Sequence, residues 1–299
     1  MTAGATAQDG GGRGGPHGPD DALLFGALSL DIHRPDGPTL PGGGVLNMAW
    51  HLRQQDVPFR LLTRIGDDRP RLFLDLLDRQ GIPYLADSIV GRGASASIDV
   101  TIQPDRQPFM DHFVEGVWAD LRWTAEEAGT VARARRLHAV LVEGAIAELE
   151  RQAADGALGH LEVSADFLGF RHYTVERFAR TMRHVDLGFV GWPGGPDDPD
   201  VARLAAIARD LGRRLVVTFG SQGILLVDGR GGAPDVVVPV TPVEVRGTTV
   251  GCGDAFIAWF LAAYWGAGDL VAAAEHGKIG GALATRWERP LPDDVYRGG

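Results

Sequence analysis

Apolar residues in this chain fall into two kinds of run that alternate along its length. Short unbroken runs at 161–167, 185–190 and 214–219, each bounded by turn residues, predict strands buried on both faces. Between and before them, 71–80, 174–183 and 200–211 repeat apolar side chains at helical spacing. In the first of these Leu72, Phe73, Leu76 and Leu77 share a face and Gly81 ends the element. A strand is predicted at 58–65, and Thr124, with Glu127 three residues on, marks the start of a helix over 124–135. Runs at 23–31 and 138–144 read as two more buried strands, each closing on an acid, Asp31 and Glu143. Regular alternation of this kind predicts a mostly parallel sheet with helices on both faces. Ligands of such sheets bind beyond the carboxyl ends of the strands, where Asp31, Glu143 and Asp166 are expected.

Two segments depart from that rhythm. Residues 97–102 and 108–114, joined by 103–107, alternate apolar and polar side chains and predict a hairpin. Residues 1–20 are rich in Gly with almost no large apolar groups, so they predict a disordered tail ahead of a folded domain at 21–299. Trp118 and Trp123 read as packing residues rather than a stacking platform.

Composition narrows the function. With 299 residues and 44% hydrophobic content the chain can bury a full core. A net charge of −10 argues against a nucleic-acid or anionic-membrane surface. The one cysteine, Cys252, leaves no intrachain disulfide, and no apolar run approaches bilayer length, so a soluble cytoplasmic protein is expected.

The candidate chemistry centres on 248–256, which runs straight into the longest apolar helix pattern, 257–264. Glycines before a helix, with Asp254 in its first turn, admit two readings. One is a loop with an N-terminal cap. The other is an anion site, where unpaired N–H groups and the helix dipole face a phosphate and the acid serves as a base beside it. Cys252 at such a start is either a stabilised thiolate or a small filler, and the filler is favoured. A second glycine turn, Gly42-Gly43-Gly44, enters a helix that carries Asn47, whose amide offers both a donor and an acceptor. Asp31 is either a strand-end acid capping a turn or a ligand. Thr218, Gly220 and Gly223 lie on a strand, tight turn, strand pattern, which taken alone is a plain hairpin. Other chemistries find little footing: there is no phosphate loop of the Gly-x-x-x-x-Gly-Lys type, no dinucleotide fingerprint after the first strand, no serine-hydrolase elbow and no metal-ligand spacing among the histidines.

Residues 248–256 resemble the second signature of the ribokinase-like carbohydrate kinases (the phosphofructokinase-B type), with Gly251, Gly253, Asp254 and Phe256 in agreement. Gly42, Gly43 and Asn47 are similar to the first signature, Gly26 and Asp31 to the family's first strand, and Thr218, Gly220 and Gly223 to its nucleotide turn. The resemblance spans about 21–287. It implies a three-layer α/β sandwich with a small β lid formed around 94–114, and ATP-dependent phosphorylation of a hydroxyl on a sugar-like substrate. It further implies Asp254 as base, with the backbone of Gly251, Cys252 and Gly253 around the moving phosphoryl group. Asp31, Gly43, Asn47, Asp99 and Glu143 would face the substrate, Thr218, Gly220 and Gly223 would face ATP, and Mg²⁺ would accompany the nucleotide through ligands left unassigned. A homodimer through the lid is a further implication. Two departures stand out: Thr248 replaces the family's usual acid, which counts against a monovalent-cation site, and the usual Asn-x-x-Glu is missing, with Asp197 and Asp198 in its place. Arg246 adds a cation just before the signature. A nucleoside or fructosamine-type kinase, and a ligand-binding protein that has lost catalysis, are the alternatives.

Overall fold

The computed structural model describes residues 21–170 and 173–297; the tail expected at 1–20 lies outside them. The chain opens with β1 (Ala22–Phe25), β2 (Ser29–His33) and β3 (Thr39–Gly42), then α1 (Gly44–Gln54), β4 (Arg60–Leu62) and α2 (Pro70–Arg79). The hairpin follows as β5 (Ala96–Ile102) and β6 (Pro108–Val114), then α3 (Ala125–Val131) and β7 (Arg136–Val140). After it come α4 (Glu143–Ala154), β8 (Glu162–Asp166), α5 (Val175–Met182), β9 (Leu187–Gly191) and α6 (Pro199–Asp210). The last part holds β10 (Arg214–Thr218), β11 (Ile224–Asp228), β12 (Val236–Val238), α7 (Cys252–Ala267), α8 (Leu270–Ala284) and α9 (Asp293–Tyr296).

Eight strands form the main sheet in the order β12-β11-β10-β9-β8-β7-β1-β4. Its pairs are parallel from β10 to β4 and antiparallel at β10–β11 and β11–β12. Strand period sorts side chains between two cores. Leu23 and Phe25 face one core with Ile146, Phe178 and Leu204 of α4, α5 and α6, and Leu24 faces the other with Leu46, Phe73 and Phe260 of α1, α2 and α7. Trp118 and Trp123 pack on Phe25, each with its ring centre 5.4 Å away, which fits their reading as core. Thr124 and Glu127 form the expected capping box of α3. Helices α7 and α8 lie close because a Cβ on Gly277 would meet the Phe256 ring at 2.8 Å.

A smaller sheet, β3-β2-β5-β6, stands apart. The hairpin expected around 94–114 supplies half of it, and β2 and β3 supply the other half. The run at 23–31 is therefore two strands in two sheets and not one. At 26–28 the chain leaves the main sheet, Gly26 wedged against Val45 and Val140 with its carbonyl taken by Thr63 Oγ1 at 2.7 Å. Both halves are buried, so a continuous apolar run hid the break. A second correction concerns 138–144. The strand ends at Val140, and Glu143 opens α4, whose Ala145, Ile146, Glu148 and Leu149 are buried at helical spacing. No helix among the described residues is long and apolar enough to cross a membrane.

Candidate active site

Helix α7 is preceded by its N-cap residue Gly251, whose φ of 77° suits glycine and where a Cβ would stand 2.9 Å from Pro290 Cα. No side chain caps this end. The Cys252 N–H is spent on Thr249 O at 3.2 Å, whereas among the described residues the N–H groups of Gly251, Gly253 and Asp254 have no backbone acceptor. Gly253 is exposed and a Cβ on it would meet nothing within 4 Å. An open, positively polarised helix end of this kind fits phosphoryl oxygens.

Asp254 lies in the first turn. Its Oδ2 accepts a 2.7 Å bond from Asn47 Nδ2 on α1. Burial raises the Asp254 pKa and the Asn47 bond opposes the rise. Asn47 is itself buried, and its Oδ1 has no partner in the protein. An acceptor left bare beside a carboxylate is suited to a ligand hydroxyl.

Two further carboxyls feel Asp254. Asp31, on β2 of the small sheet, takes a 2.7 Å bond from Ser29 Oγ. Burial lifts its pKa to about 7; the Ser29 bond opposes this and the charge of Asp254 adds to it. Asp166, the last residue of β8, takes the Leu168 N–H at 2.8 Å. Its pKa is likewise pushed up to about 7, by burial first and the Asp254 charge second. The glycine run is the floor between Asp31 and Asp254. A Cβ on Gly42 would overlap the Asp31 carboxyl, one on Gly43 (φ 101°) would overlap Ala27 O, and one on Gly44 would stand 2.9 Å from Asp254 Oδ1. Bare backbone is what this spacing requires.

Asp31 and Asp166 hold their protons more firmly in the folded chain than in the unfolded one, where an aspartate titrates near 3.8. Their stabilising share is whole below about pH 4 and is lost as the pH rises towards about 7. Other carboxylates, such as Glu148, whose burial is outweighed by bonds from Arg151 and Gln152, act in the opposite sense. The contribution is therefore read as a difference: relative to Asp166→Asn, the wild-type thermal midpoint is expected to fall between pH 5 and 7, a trend that calorimetry across that range would reveal or refute.

The remaining candidates are distributed as follows. Asp99 on β5 pairs with Arg34 at 2.9 Å and with His112 at 3.4 Å, and the Arg34 bond holds its carboxyl below the usual range. Glu143 is gripped at both oxygens by Arg177, at 2.7 and 2.6 Å. Thr218 ends β10 beside Gly191 of β9, two strands over from Asp166 on β8, and Gly220 (φ 57°) and Gly223 (φ 127°) turn the chain into β11. Thr218 and Gly220 lie at the carboxyl end of β10 in the main sheet, as strand order expects, whereas Asp99 belongs to the small sheet. Cys252 is a neutral thiol, burial pushing it up to about 12. Sequence reading places Asp166 at the ligand-binding ends of the strands without assigning it a role, and it passes over Ser29, whose short polar side chain in an apolar run gives no signal of its bond to Asp31.

Among the described residues no three His, Cys, Asp or Glu side chains gather to hold a metal alone. Asp198 is spent on capping α6 and on Trp192 Nε1 at 3.2 Å, and Asp197 is exposed. Magnesium needs less, since it commonly keeps waters and takes one or two carboxylates together with phosphate oxygens; Asp166 and Asp254 fit that requirement. A monovalent cation does not fit at Thr248, which is buried, accepts the Val250 N–H at 3.0 Å and donates its own N–H to Trp287 O at 2.8 Å. Two surface concavities, one lined by Trp123 and His160 and one by Arg53 and Phe59, share no residue with the cluster.

No family model matches the chain, and no curated protein matches it in sequence. Solved structures do. A microbiome-derived acarbose kinase is 20% identical with a TM-score of 0.72, over 92% of this chain and 94% of that one. An adenosine kinase from Sinorhizobium meliloti is 19% identical with a TM-score of 0.73, over 92% and 97%. A ribokinase from Cryptococcus neoformans var. grubii serotype A, solved with ADP, is 18% identical with a TM-score of 0.69, over 92% and 98%. The chain thus has the fold shared by ribokinase-type sugar and nucleoside kinases, a mostly parallel sheet between two helical layers.

Proposed function

We propose that this protein is an ATP-dependent kinase that phosphorylates a hydroxyl, a primary one by preference, of a sugar-like small molecule in the cytoplasm. The observation that carries the reading is the Asp254 carboxyl, set inside an uncapped glycine-opened helix end and held by an Asn47 whose Oδ1 is unpartnered. The kinase fold supports it, since sugar and nucleoside kinases share it.

In this reading Asp254 accepts the proton of the acceptor hydroxyl as its oxygen attacks the γ-phosphate of ATP. The raised pKa suits the task, because a base that holds a proton more firmly accepts one more readily. N–H groups at Gly251 and Gly253 stabilise the charge on the moving phosphoryl group, with Cys252 between them as filler. Asp31 and the Asn47 Oδ1 orient acceptor hydroxyls over the bare backbone of Gly43, and the small sheet closes over them as a lid, with Asp99 on its inner part. Thr218, Gly220 and Gly223 line the nucleotide side. Asp166 would help to hold Mg²⁺ against the phosphates, and the ion would supply neutralisation of phosphate charge there. Glu143 is left out, because Arg177 holds both its oxygens. Phe109 and Val114, 51% and 54% exposed on edge strand β6, support a homodimer through the lid.

The test is ATP consumption with Mg²⁺ against sugars, nucleosides, cyclitols and glycated amines. One acceptor class is expected to raise consumption. Nucleosides doing so would favour the nucleoside-kinase alternative, and nucleotide binding without turnover on any acceptor would favour a ligand-binding protein. A wild-type protein that binds no nucleotide would overturn the reading.

A further inference from the structure

The segment 239–249 that delivers the chain to α7 has no regular structure, so whatever holds it decides where the first N–H groups of α7 point. One side is held by the chain leaving α8. Arg246 and Gly247 donate their N–H groups to Thr285 O at 3.0 and 2.8 Å, and Thr248 donates to Trp287 O. The other side is held from a distant stretch of sequence, by the tip of the β5–β6 hairpin. Arg106 Nη1 donates to the main-chain oxygens of Arg246 and, at 3.1 Å, of Gly247. The Arg106 carbonyl accepts the Thr249 N–H at 3.2 Å, and Gln107 Oε1 accepts the Thr249 hydroxyl at 2.7 Å.

The two braces differ in kind. The α8 side belongs to the same packed body as α7, whereas the hairpin belongs to the small sheet that carries Asp31 on β2 and Asp99 on β5. We propose that Arg106 and Gln107 are positioning residues: seated on 246–249, the hairpin tip fixes the entrance of α7 and so ties the phosphoryl site to the sheet that holds the acceptor. This rests on the kinase reading of that entrance. A guanidinium suits the role, because the two N–H groups of its Nη1 are held in one fixed plane and can serve both carbonyl oxygens, while an ammonium is a freely rotating point donor. A closed hairpin tip would therefore set the phosphoryl site when the acceptor site is covered, a coupling of the sort that closing lids supply.

Arg106→Gly removes the guanidinium but keeps the left-handed φ of 66° found there. Combined with Gln107→Ala, it is expected to speed amide hydrogen exchange across 246–252 by about tenfold or more, while 256–264 in the body of α7 exchanges as in the wild type. Affinity for a non-hydrolysable ATP analogue with Mg²⁺ is expected to weaken by about fivefold or more, the low end of usual site-to-site coupling. Arg106→Lys should fall between, and the thermal midpoint should hold, because the tip is exposed. Exchange at 246–252 equal to wild type in the double variant overturns the proposal. Failure of the wild type to bind the analogue would instead sink the kinase reading, and the exchange result would still decide whether the hairpin braces the loop.

Discussion

Asp254→Asn is expected to lower turnover by roughly 10²- to 10⁴-fold, the usual worth of a positioned general base, on whichever acceptor the wild-type protein phosphorylates. The amide is nearly the same size and still offers an oxygen to Asn47 Nδ2, so the 2.7 Å bond can persist. What it lacks is the capacity to take a proton. Asp254 also raises the pKa of Asp31, of Asp166 and of Cys252 through its charge. Removing that charge from a site where burial disfavours it should leave the thermal midpoint equal to wild type or above it. Loss of activity with unchanged or higher stability separates a chemical role from a structural one. If Asp254 were only a helix-start residue, the variant would keep more than a few per cent of wild-type turnover.

The same residue shows what the sequence made legible. Asp254 and Asn47 were singled out from glycine turns lying far apart in the chain, and α1 packs on α7 so that their side chains bond directly. The strands over 161–167 and 214–219 were legible because a parallel sheet buried on both faces leaves unbroken apolar runs. The same cause made 23–31 misleading: Phe25 and Leu30 are both buried although they belong to different sheets. Nothing local marks that switch except Gly26. At 138–144 the apolar run passes straight from β7 into α4, and a helix beginning on Glu143 and Gly144 looks like the end of a strand. Gly144 is there because a side chain would overlap Trp118 O, a constraint visible only after packing. The seat of Arg106 on 246–249 depends on two loops meeting, and loop polarity carries no record of its partner.

Gly42→Ala should raise the acceptor KM, lowering kcat/KM by about 10- to 100-fold while nucleotide affinity stays unchanged. A methyl group at this position has no room, since it would fall on the Asp31 carboxyl itself. Asp31 cannot easily yield: it is buried, its Oδ1 is fixed by Ser29 Oγ, and β2 is clamped between β3 and β5, with Ser29 facing Gly42 across the ladder. The carboxyl must therefore rotate off the acceptor site or β3 must shift away. In an assay above about pH 7, where Asp31 is ionised, either movement costs the charge-assisted hydrogen bonds that Asp31 would make to acceptor hydroxyls, each worth about 1.5–3 kcal/mol, which sets the range given above. Nucleotide affinity is the internal control, because the α7 entrance lies across Gly44 and is not touched by the new methyl. Asp31→Asn should lower kcat/KM in the same direction, and adding Gly42→Ala to it should cost little more, since both act on one carboxyl. Additive losses in that cycle, or a Gly42→Ala enzyme within twofold of wild type, would mean that Asp31 does not hold the acceptor and that the glycine run serves only the packing of β3 on β2.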